Sequence, residues 1–121
     1  MAKILLAEDE AVLRMLITDT LEDENHHIDE ACDGEEALAL IAQNDYDLII
    51  LDYMMPKKTG YDVLVEVKRM EHKKHIKILM LSAKSQQSDQ EKIRKAGVDD
   101  FMTKPFSPLA LIEKIGEMTH E

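Results

Sequence analysis

The sequence predicts an α/β fold with a doubly wound parallel sheet of five strands and helices on both faces of the sheet. Three observations predict it: short apolar segments alternate five times with longer amphipathic ones, the connections between them are short, and residues 48–51 are apolar at every position. A strand without a polar position is covered on both faces, as central parallel strands are. Strict alternation with short connections then requires crossover helices on both sides of the sheet.

Length and composition favour one domain, residues 1–121. Hydrophobic residues make up 45% and charged residues 33% of the chain, the balance of a globular protein and not of a disordered one. A net charge of −10 opposes generic binding to nucleic acid or to an anionic membrane, so we expect neither as a direct partner. A single cysteine and the lack of a visible secretory signal favour the cytoplasm.

The first half of the chain predicts three strands and two helices. Residues 27–31 contain only two apolar side chains, Ile28 and Ala31, so this strand should lie at an edge of the sheet. Asp33 precedes the second helix, where its carboxylate would cap the helix start. The predicted elements are strands at 3–7, 27–31 and 48–51, and helices at about 10–23 and 35–43.

The second half predicts two more strands and three more helices. Gly60 lies in a loop, and apolar residues at 63, 64 and 67 mark the third helix. The fourth helix, 85–96, has essentially two apolar anchors, Ile93 and Ala96, and Gly97 ends it. A helix with so little to bury can shift at low cost. The remaining predicted elements are strands at 76–81 and 98–102 and a final helix that opens at Ser107 or Pro108.

Polar residues follow four of the five predicted strands. Glu8 and Asp9 follow the first strand, Asp52 the third, Ser82 the fourth, and Lys104 comes two residues after the fifth. In an open parallel sheet, sites form outside the carboxyl ends of the strands. The sequence therefore predicts that these side chains meet at one edge of the sheet.

Carboxylates that are brought together in this way predict a divalent cation, because they otherwise repel one another. Oxygen ligands of this kind suit Mg²⁺, which needs few protein ligands and keeps several waters. We expect Asp9 and Asp52 as carboxylate ligands and the main-chain carbonyl of Met54 as a third ligand, with Glu8 acting through water.

Asp52 is the expected nucleophile toward phosphorus. Lys104 can reach a carboxylate or a phosphoryl oxygen, and the Ser82 hydroxyl can donate to a second phosphoryl oxygen. A carboxylate surrounded by a cation, an ammonium group and a hydroxyl is arranged for phosphoryl transfer.

Each of these residues also has a simpler structural interpretation on its own. Residues 8–10 can cap a helix, Asp52 can form an Asx-turn, Ser82 can cap the following helix, and Lys104 can be a solvated lysine. All four interpretations would have to hold at once to explain four strand ends at one edge of the sheet, so we favour the shared site.

Four segments of the sequence resemble a known family in their order along the chain. They are Glu8-Asp9, residues 51–56 with Gly60, residues 82–84, and residues 104–106. With them the whole chain resembles the receiver domain of bacterial response regulators, the CheY-like superfamily. The resemblance implies a flavodoxin-like fold with strand order 2-1-3-4-5.

The resemblance also implies a reaction and a switch. In the family, the aspartate at the position of Asp52 takes a phosphoryl group from a phosphohistidine of a sensor histidine kinase or histidine phosphotransferase. Ser82 is then the switch hydroxyl and Phe101 the switch aromatic, and the surface of helix four, strand five and helix five changes its contacts with a downstream protein target. Further implied features are a phosphoryl contact by Lys104, a Mg²⁺ pocket of Glu8, Asp9 and Asp52, and a cis peptide before Pro105.

Other functions stay open at this point. A stand-alone receiver is favoured mildly over a piece of a longer regulator with a DNA-binding or enzymatic output domain. An aspartyl-phosphate phosphohydrolase of the haloacid dehalogenase type needs a second Asp where Met54 stands, so beyond its own phosphorylation and dephosphorylation we expect no enzymatic activity. A pseudo-receiver usually loses acidic residues that this chain keeps. We expect a monomer, with dimerisation on phosphorylation as an open alternative.

Two weaker features are expected to be structural. Cys32 lies at a strand end without a basic neighbour in sequence, which favours a small buried side chain over a redox role. His72 and His75 have the spacing of a metal pair, but Lys73 and Lys74 between them favour a solvated helix end.

Overall fold

The computed structural model describes residues 1–119, in which five strands and five α-helices alternate. The sheet is parallel and its strand order is β2-β1-β3-β4-β5, which confirms the expected fold. The strands are β1 (Lys3–Ala7), β2 (His27–Ala31), β3 (Leu48–Asp52), β4 (Lys77–Ala83) and β5 (Asp100–Lys104). The α-helices are α1 (Ala11–Glu22), α2 (Gly34–Gln43), α3 (Gly60–Lys68), α4 (Gln90–Lys95) and α5 (Pro108–Thr119). Within the described residues, no helix combines the length and the apolar composition needed to cross a membrane.

Successive residues of the central strands point to opposite faces of the sheet and build two apolar cores. Leu5 and Ile49 belong to the core beneath α2, α3 and α4, whereas Ile4 and Ile50 belong to the core beneath α1 and α5. All five residues of β3 are buried, as a strand covered on both faces requires. The helices therefore lie on both sides of the sheet, and the carboxyl ends of the strands form one edge.

Side-chain caps define the starts of α2 and α3. Asp33 accepts a 2.8 Å hydrogen bond from the main-chain N–H of Glu36, which confirms its predicted role. Thr59 and Asp62 form a reciprocal capping box, with each side chain 3.1 Å from the other residue's main-chain nitrogen. Gly60 is the first residue of α3 and not part of the preceding loop as predicted, because the capping box starts the helix at that residue.

The predicted fourth helix is divided into two parts. Residues 84–89 form a 3₁₀ segment, and only Gln90–Lys95 are α-helical. The Gln86 side chain accepts a 2.8 Å hydrogen bond from the N–H of Ala83, so the segment has its own local cap. Ile93 is the buried residue of α4, which leaves little apolar packing to impose α-helical geometry on the first turns.

The last two strands lie further along the chain than predicted. The Asp99 carboxylate accepts a 2.8 Å hydrogen bond from the N–H of Ile78, so residues 98–99 form the approach to β5. Pairing runs from Leu79 with Asp100 to Ala83 with Lys104. Lys104 is therefore the last residue of β5 and does not lie beyond the strand, and Ser82 lies within β4.

The two weaker sequence features have different outcomes. Cys32 is exposed, so the prediction of a buried side chain is wrong. It follows the edge strand β2, and its N–H donates to the Glu36 side chain. His72 and His75 are exposed as predicted, and His75 pairs with Asp45 at 2.9 Å. Lys73 between them is buried and donates to the Asn44 carbonyl at 2.7 Å, so the segment is not solvated throughout as predicted.

Candidate metal and phosphoryl-acceptor site

Glu8, Asp9 and Asp52 meet at the carboxyl edge of the sheet, as the sequence predicts. Each offers one carboxylate oxygen, and these oxygens all lie within 4.8 Å of one another. We call these three residues the acidic cluster. Glu8 is fully buried and Asp52 is 6% exposed, whereas Asp9 is exposed. Two buried carboxylates and one at the surface form a cup that opens to solvent on one side.

Lys104 joins the two buried carboxylates from the end of β5. Its Nζ lies 3.0 Å from Asp52 Oδ1 and 3.2 Å from Glu8 Oε1. Burial by itself lowers the pKa of Lys104, but Asp52 and Glu8 outweigh that effect and raise the pKa above its ordinary value. Lys104 is therefore charged at neutral pH, and it compensates part of the negative charge of the cluster.

Asp52 has an unusually high pKa. Burial raises the pKa to about 7, Lys104 opposes the rise, and the neighbouring charge of Glu8 adds to it. Perturbation of this size by desolvation and by specific partners is typical of functional groups in a cleft. An added divalent cation would reduce the free-energy cost of ionising Asp52, since it supplies positive charge that Lys104 alone does not fully provide.

Glu8 is fixed at both its main chain and its side chain. Its N–H donates to the Ala31 carbonyl of β2 at 3.1 Å, and its carbonyl accepts a 2.7 Å hydrogen bond from Arg14 Nη1. The Glu8 carboxylate accepts from the N–H of Glu10 at 3.1 Å as well as from Lys104. Sequence reasoning missed Arg14, although it is the only lysine or arginine between Lys3 and Lys57.

Gly60 brings α3 against the end of β3, a role that the sequence did not reveal. A Cβ at this position would lie 2.3 Å from the main-chain carbonyl oxygen of Asp52. The Gly60 N–H donates a 2.9 Å hydrogen bond to the carbonyl of Tyr53. The loop after Asp52 is therefore closed against the helix start, which fixes the backbone beneath the acidic cluster.

The remaining predicted site residues make fewer contacts than the acidic cluster and Lys104. Ser82 is fully buried, and its Oγ has no hydrogen-bond partner among the residues that the structure describes. Phe101 is half-buried in β5, with the Arg94 guanidinium 5.3 Å from its ring centre. Met54 lies in the loop after β3 with an exposed side chain, and its carbonyl as a metal ligand stays a prediction. The peptide bond between Lys104 and Pro105 is cis, as the resemblance implied.

The simpler structural interpretations do not account for these residues. The N-cap of α1 is Glu10, which makes no side-chain capping bond to a described residue. Among the described residues, the Asp52 side chain accepts no main-chain hydrogen bond of an Asx-turn and pairs with Lys104 instead, and Ser82 caps no helix. Lys104 is 25% exposed and binds two carboxylates, so it is not a solvated lysine. A shared site remains the interpretation that accommodates all of the contacts.

Comparison with known proteins points to one family. The response regulator receiver domain model matches residues 4–116. The transcriptional regulatory protein ResD of Bacillus subtilis is 42% identical over 113 residues, which cover 93% of this chain and 46% of that protein. The chain thus spans about half the length of the curated relatives it matches.

Solved structures agree with the sequence relatives. The Francisella response regulator 1452 receiver domain has a TM-score of 0.89 and 32% identity, and the match covers 98% of this chain and 97% of that one. The chemotaxis response regulator CheY4 of Vibrio cholerae also has a TM-score of 0.89 and 32% identity, with 98% of each chain covered. The chain belongs to the response regulator receiver domain family of two-component signal transduction.

Proposed function

We propose that this receiver accepts a phosphoryl group on Asp52 in a Mg²⁺-dependent reaction. The donor is a phosphohistidine on a sensor histidine kinase or a histidine phosphotransferase in the cytoplasm. The observation that carries the proposal is the acidic cluster, in which Lys104 pairs with two carboxylates whose oxygens, together with that of Asp9, lie within 4.8 Å of one another.

The donor set of the cluster fits Mg²⁺. Glu8, Asp9 and Asp52 supply hard carboxylate oxygens, and the exposed side of Asp9 leaves room for the waters that Mg²⁺ keeps. The pKa of Asp52 is high because the carboxylate is buried beside Glu8, and Lys104 does not fully offset these two effects. Bound there, Mg²⁺ would keep the carboxylates ionised and withdraw electron density from phosphoryl oxygens.

The chain's own residues perform the transfer by position and charge. A carboxylate oxygen of Asp52 attacks phosphorus, the P–N bond of the phosphohistidine breaks, and the leaving imidazole keeps the electron pair. Lys104, which already contacts Asp52 at 3.0 Å, neutralises a phosphoryl oxygen as the new bond forms. We expect self-phosphorylation and dephosphorylation as the only chemistry, since Met54 replaces the second acid of a phosphohydrolase.

The switch is proposed to start at Ser82. Its buried Oγ lacks a partner among the described residues, so a phosphoryl oxygen can accept a hydrogen bond from it without competition. Movement of Ser82 frees space that the Phe101 ring fills, and the surface of α4, β5 and α5 then changes its contacts with a downstream protein. NMR shifts of the Phe101 ring with and without a phosphoryl mimic test this step, and an unchanged ring would reject it.

Intact-mass measurement after incubation with acetyl phosphate and Mg²⁺ tests the phosphoryl transfer. We expect wild type and Asp19→Asn, which alters an exposed carboxylate on α1, to gain the mass of one phosphoryl group. Asp52→Asn should gain none, and removal of Mg²⁺ with a chelator should prevent labelling of wild type. Labelling of Asp52→Asn to the wild-type extent, or no labelling of wild type by any donor, would contradict the proposal.

Relatives with longer chains bear on the output of the signal. ResD is named a transcriptional regulatory protein, which makes a DNA-binding output domain the alternative to a stand-alone receiver. No contact within the described residues favours that alternative. The downstream partner that we propose is a protein, because a net charge of −10 opposes direct contact with nucleic acid.

A further inference from the structure

We propose that Arg14 is a positioning residue of the acidic cluster: its guanidinium fixes the connection between β1 and α1 in the conformation that directs Glu8 and Asp9 toward the cation. Arg14 would not touch the cation or the phosphoryl group. The inference rests on the proposed function, since it concerns the metal that the receiver needs for phosphoryl transfer.

Contacts on two sides fix the Arg14 guanidinium. Nη1 donates a 2.7 Å hydrogen bond to the main-chain carbonyl of Glu8, and Nε lies 3.7 Å from Glu30 Oε1 in β2. The Thr18 hydroxyl donates to the other oxygen of Glu30, so that carboxylate is itself oriented. Only 18% of the Arg14 side chain is exposed, and hydrogen bonds shielded from water are stronger than exposed ones.

The bond from Arg14 controls the peptide unit between Glu8 and Asp9. A peptide unit is planar, so the direction of the Glu8 carbonyl also sets the direction of the Asp9 N–H. With its N–H bound to Ala31 and its carbonyl bound to Arg14, Glu8 presents one carboxylate oxygen to Lys104 and the other to the N–H of Glu10. The Asp9 side chain then places a carboxylate oxygen within 4.8 Å of those of Glu8 and Asp52.

No other cation from this part of the sequence can replace Arg14. Residues 4–56 contain fifteen Asp and Glu residues and Arg14 as the only Lys or Arg. Lys104 is already paired with Glu8 and Asp52, and Lys57 with Asp33. Loss of the Arg14 guanidinium would therefore leave the Glu8 carbonyl without a charged donor and release the loop that carries two members of the cluster.

Titration calorimetry with Mg²⁺ on Arg14→Gln tests the inference. We expect Mg²⁺ to bind about tenfold more weakly than to wild type, the lower end of the effect of outer-shell partners on metal sites. Arg14→Lys keeps one donor to the Glu8 carbonyl and should recover most of the affinity. Phosphorylation by acetyl phosphate should be slow in Arg14→Gln at low Mg²⁺ and approach the wild-type rate at saturating Mg²⁺.

Lys114→Gln is the matched control. Lys114 on α5 forms a 2.9 Å ion pair with Asp100 of β5, which also joins a helix to an edge strand but lies away from the acidic cluster. This variant should bind Mg²⁺ as wild type does. In the metal-free protein, hydrogen exchange at the N–H of Glu10, which donates to Glu8, should be faster in Arg14→Gln and unchanged in Lys114→Gln.

The outcomes separate this inference from the proposed function. If wild type binds Mg²⁺ and Arg14→Gln binds it with the same affinity, the inference about Arg14 is overturned and the proposed function is not. An equal loss of affinity in Lys114→Gln would also overturn it, because the effect would then be general destabilisation. Failure of the wild-type protein to bind Mg²⁺ would overturn the proposed function and this inference with it.

Discussion

The two halves of the site differ in how firmly their side chains are held. The acidic half comprises the acidic cluster and Lys104, and the contacts of Glu8 alone reach β2, α1 and β5. The hydroxyl half comprises Ser82, the 3₁₀ segment at 84–89, α4 and Phe101. There Ser82 Oγ has no partner in the described chain, and the six-residue α4 has one buried residue, Ile93.

This difference assigns different tasks to the two halves. Pre-positioned charges favour chemistry, because the charge that develops on phosphoryl oxygens meets partners that need no reorganisation. A segment with few buried contacts changes conformation at low cost, which suits the transmission of a signal. The firmly held half is therefore the part expected to react, and the loosely held half the part expected to move.

The largest effect is expected from Gly60→Ala, which disturbs the backbone of the acidic half. The new Cβ would lie 2.3 Å from the carbonyl oxygen of Asp52. The start of α3 and the end of β3 cannot move apart to relieve this contact without distorting the loop that connects them. We expect a loss of about 3 kcal/mol in the free energy of unfolding, measured by urea denaturation. Gly116→Ala on α5 is the control, since nothing lies within 4 Å of its Cβ, and it should stabilise by about 0.5–1 kcal/mol. Equal effects of the two substitutions would contradict the close approach at Gly60.

An intermediate effect, with a distinct pH dependence, is expected from Asp52→Asn. The pKa of Asp52 is raised from 3.8 to about 7 in the folded protein, so folding binds the proton more tightly and opposes ionisation. Wild type is therefore destabilised progressively as the pH rises from about 4 to about 7, and Asn removes that penalty. At pH ~8 without metal we expect Asp52→Asn to be more stable than wild type by on the order of 2–3 kcal/mol.

The difference between Asp52→Asn and wild type should shrink to about 0.5 kcal/mol near pH ~4, where Asp52 is protonated in the folded protein and about half protonated in the unfolded chain, in which its pKa is 3.8. Asp19→Asn, at an exposed position on α1, should stay within about 0.5 kcal/mol of wild type at both pH values. Urea denaturation of the three proteins at each pH provides the measurement. A wild type that is more stable than Asp52→Asn at alkaline pH would show that the acidic half is not electrostatically strained.

The smallest effect is expected from Ser82→Ala in the hydroxyl half. The hydroxyl is buried without a partner among the described residues, so its removal should not destabilise the fold and should raise the free energy of unfolding by up to about 1 kcal/mol. Thr18→Val is the matched control, because the Thr18 hydroxyl donates to Glu30 and its loss should cost about 1.5 kcal/mol. Thermal denaturation of both variants measures the contrast. A cost at Ser82 equal to that at Thr18 would remove the distinction between the two halves.

Sequence periodicity predicted the first three strands best, and the fourth helix and the fifth strand least well. Residues 3–7 and 27–31 were predicted as the strands that the structure contains, and β3 differs only by the addition of Asp52. The fourth helix and the fifth strand were placed less accurately, because their limits depend on hydrogen bonds that the side chains of Gln86 and Asp99 accept from the main-chain N–H groups of Ala83 and Ile78. Patterns of apolar residues carry no information about such bonds.

Residue patterns along the chain were enough to predict the fold class, the edge of the sheet at which polar residues gather, and the candidate site residues Glu8, Asp9, Asp52, Ser82 and Lys104. These follow from alternation and from the rule that parallel strands end at the same edge. Three-dimensional contacts were needed to establish that Lys104 joins Glu8 to Asp52, that Arg14 holds the Glu8 carbonyl, and that Ser82 is buried without a partner in the described chain. The reason is that hydrogen bonding and desolvation depend on distances between residues far apart in the chain, and these distances are set by packing of the helices on the sheet.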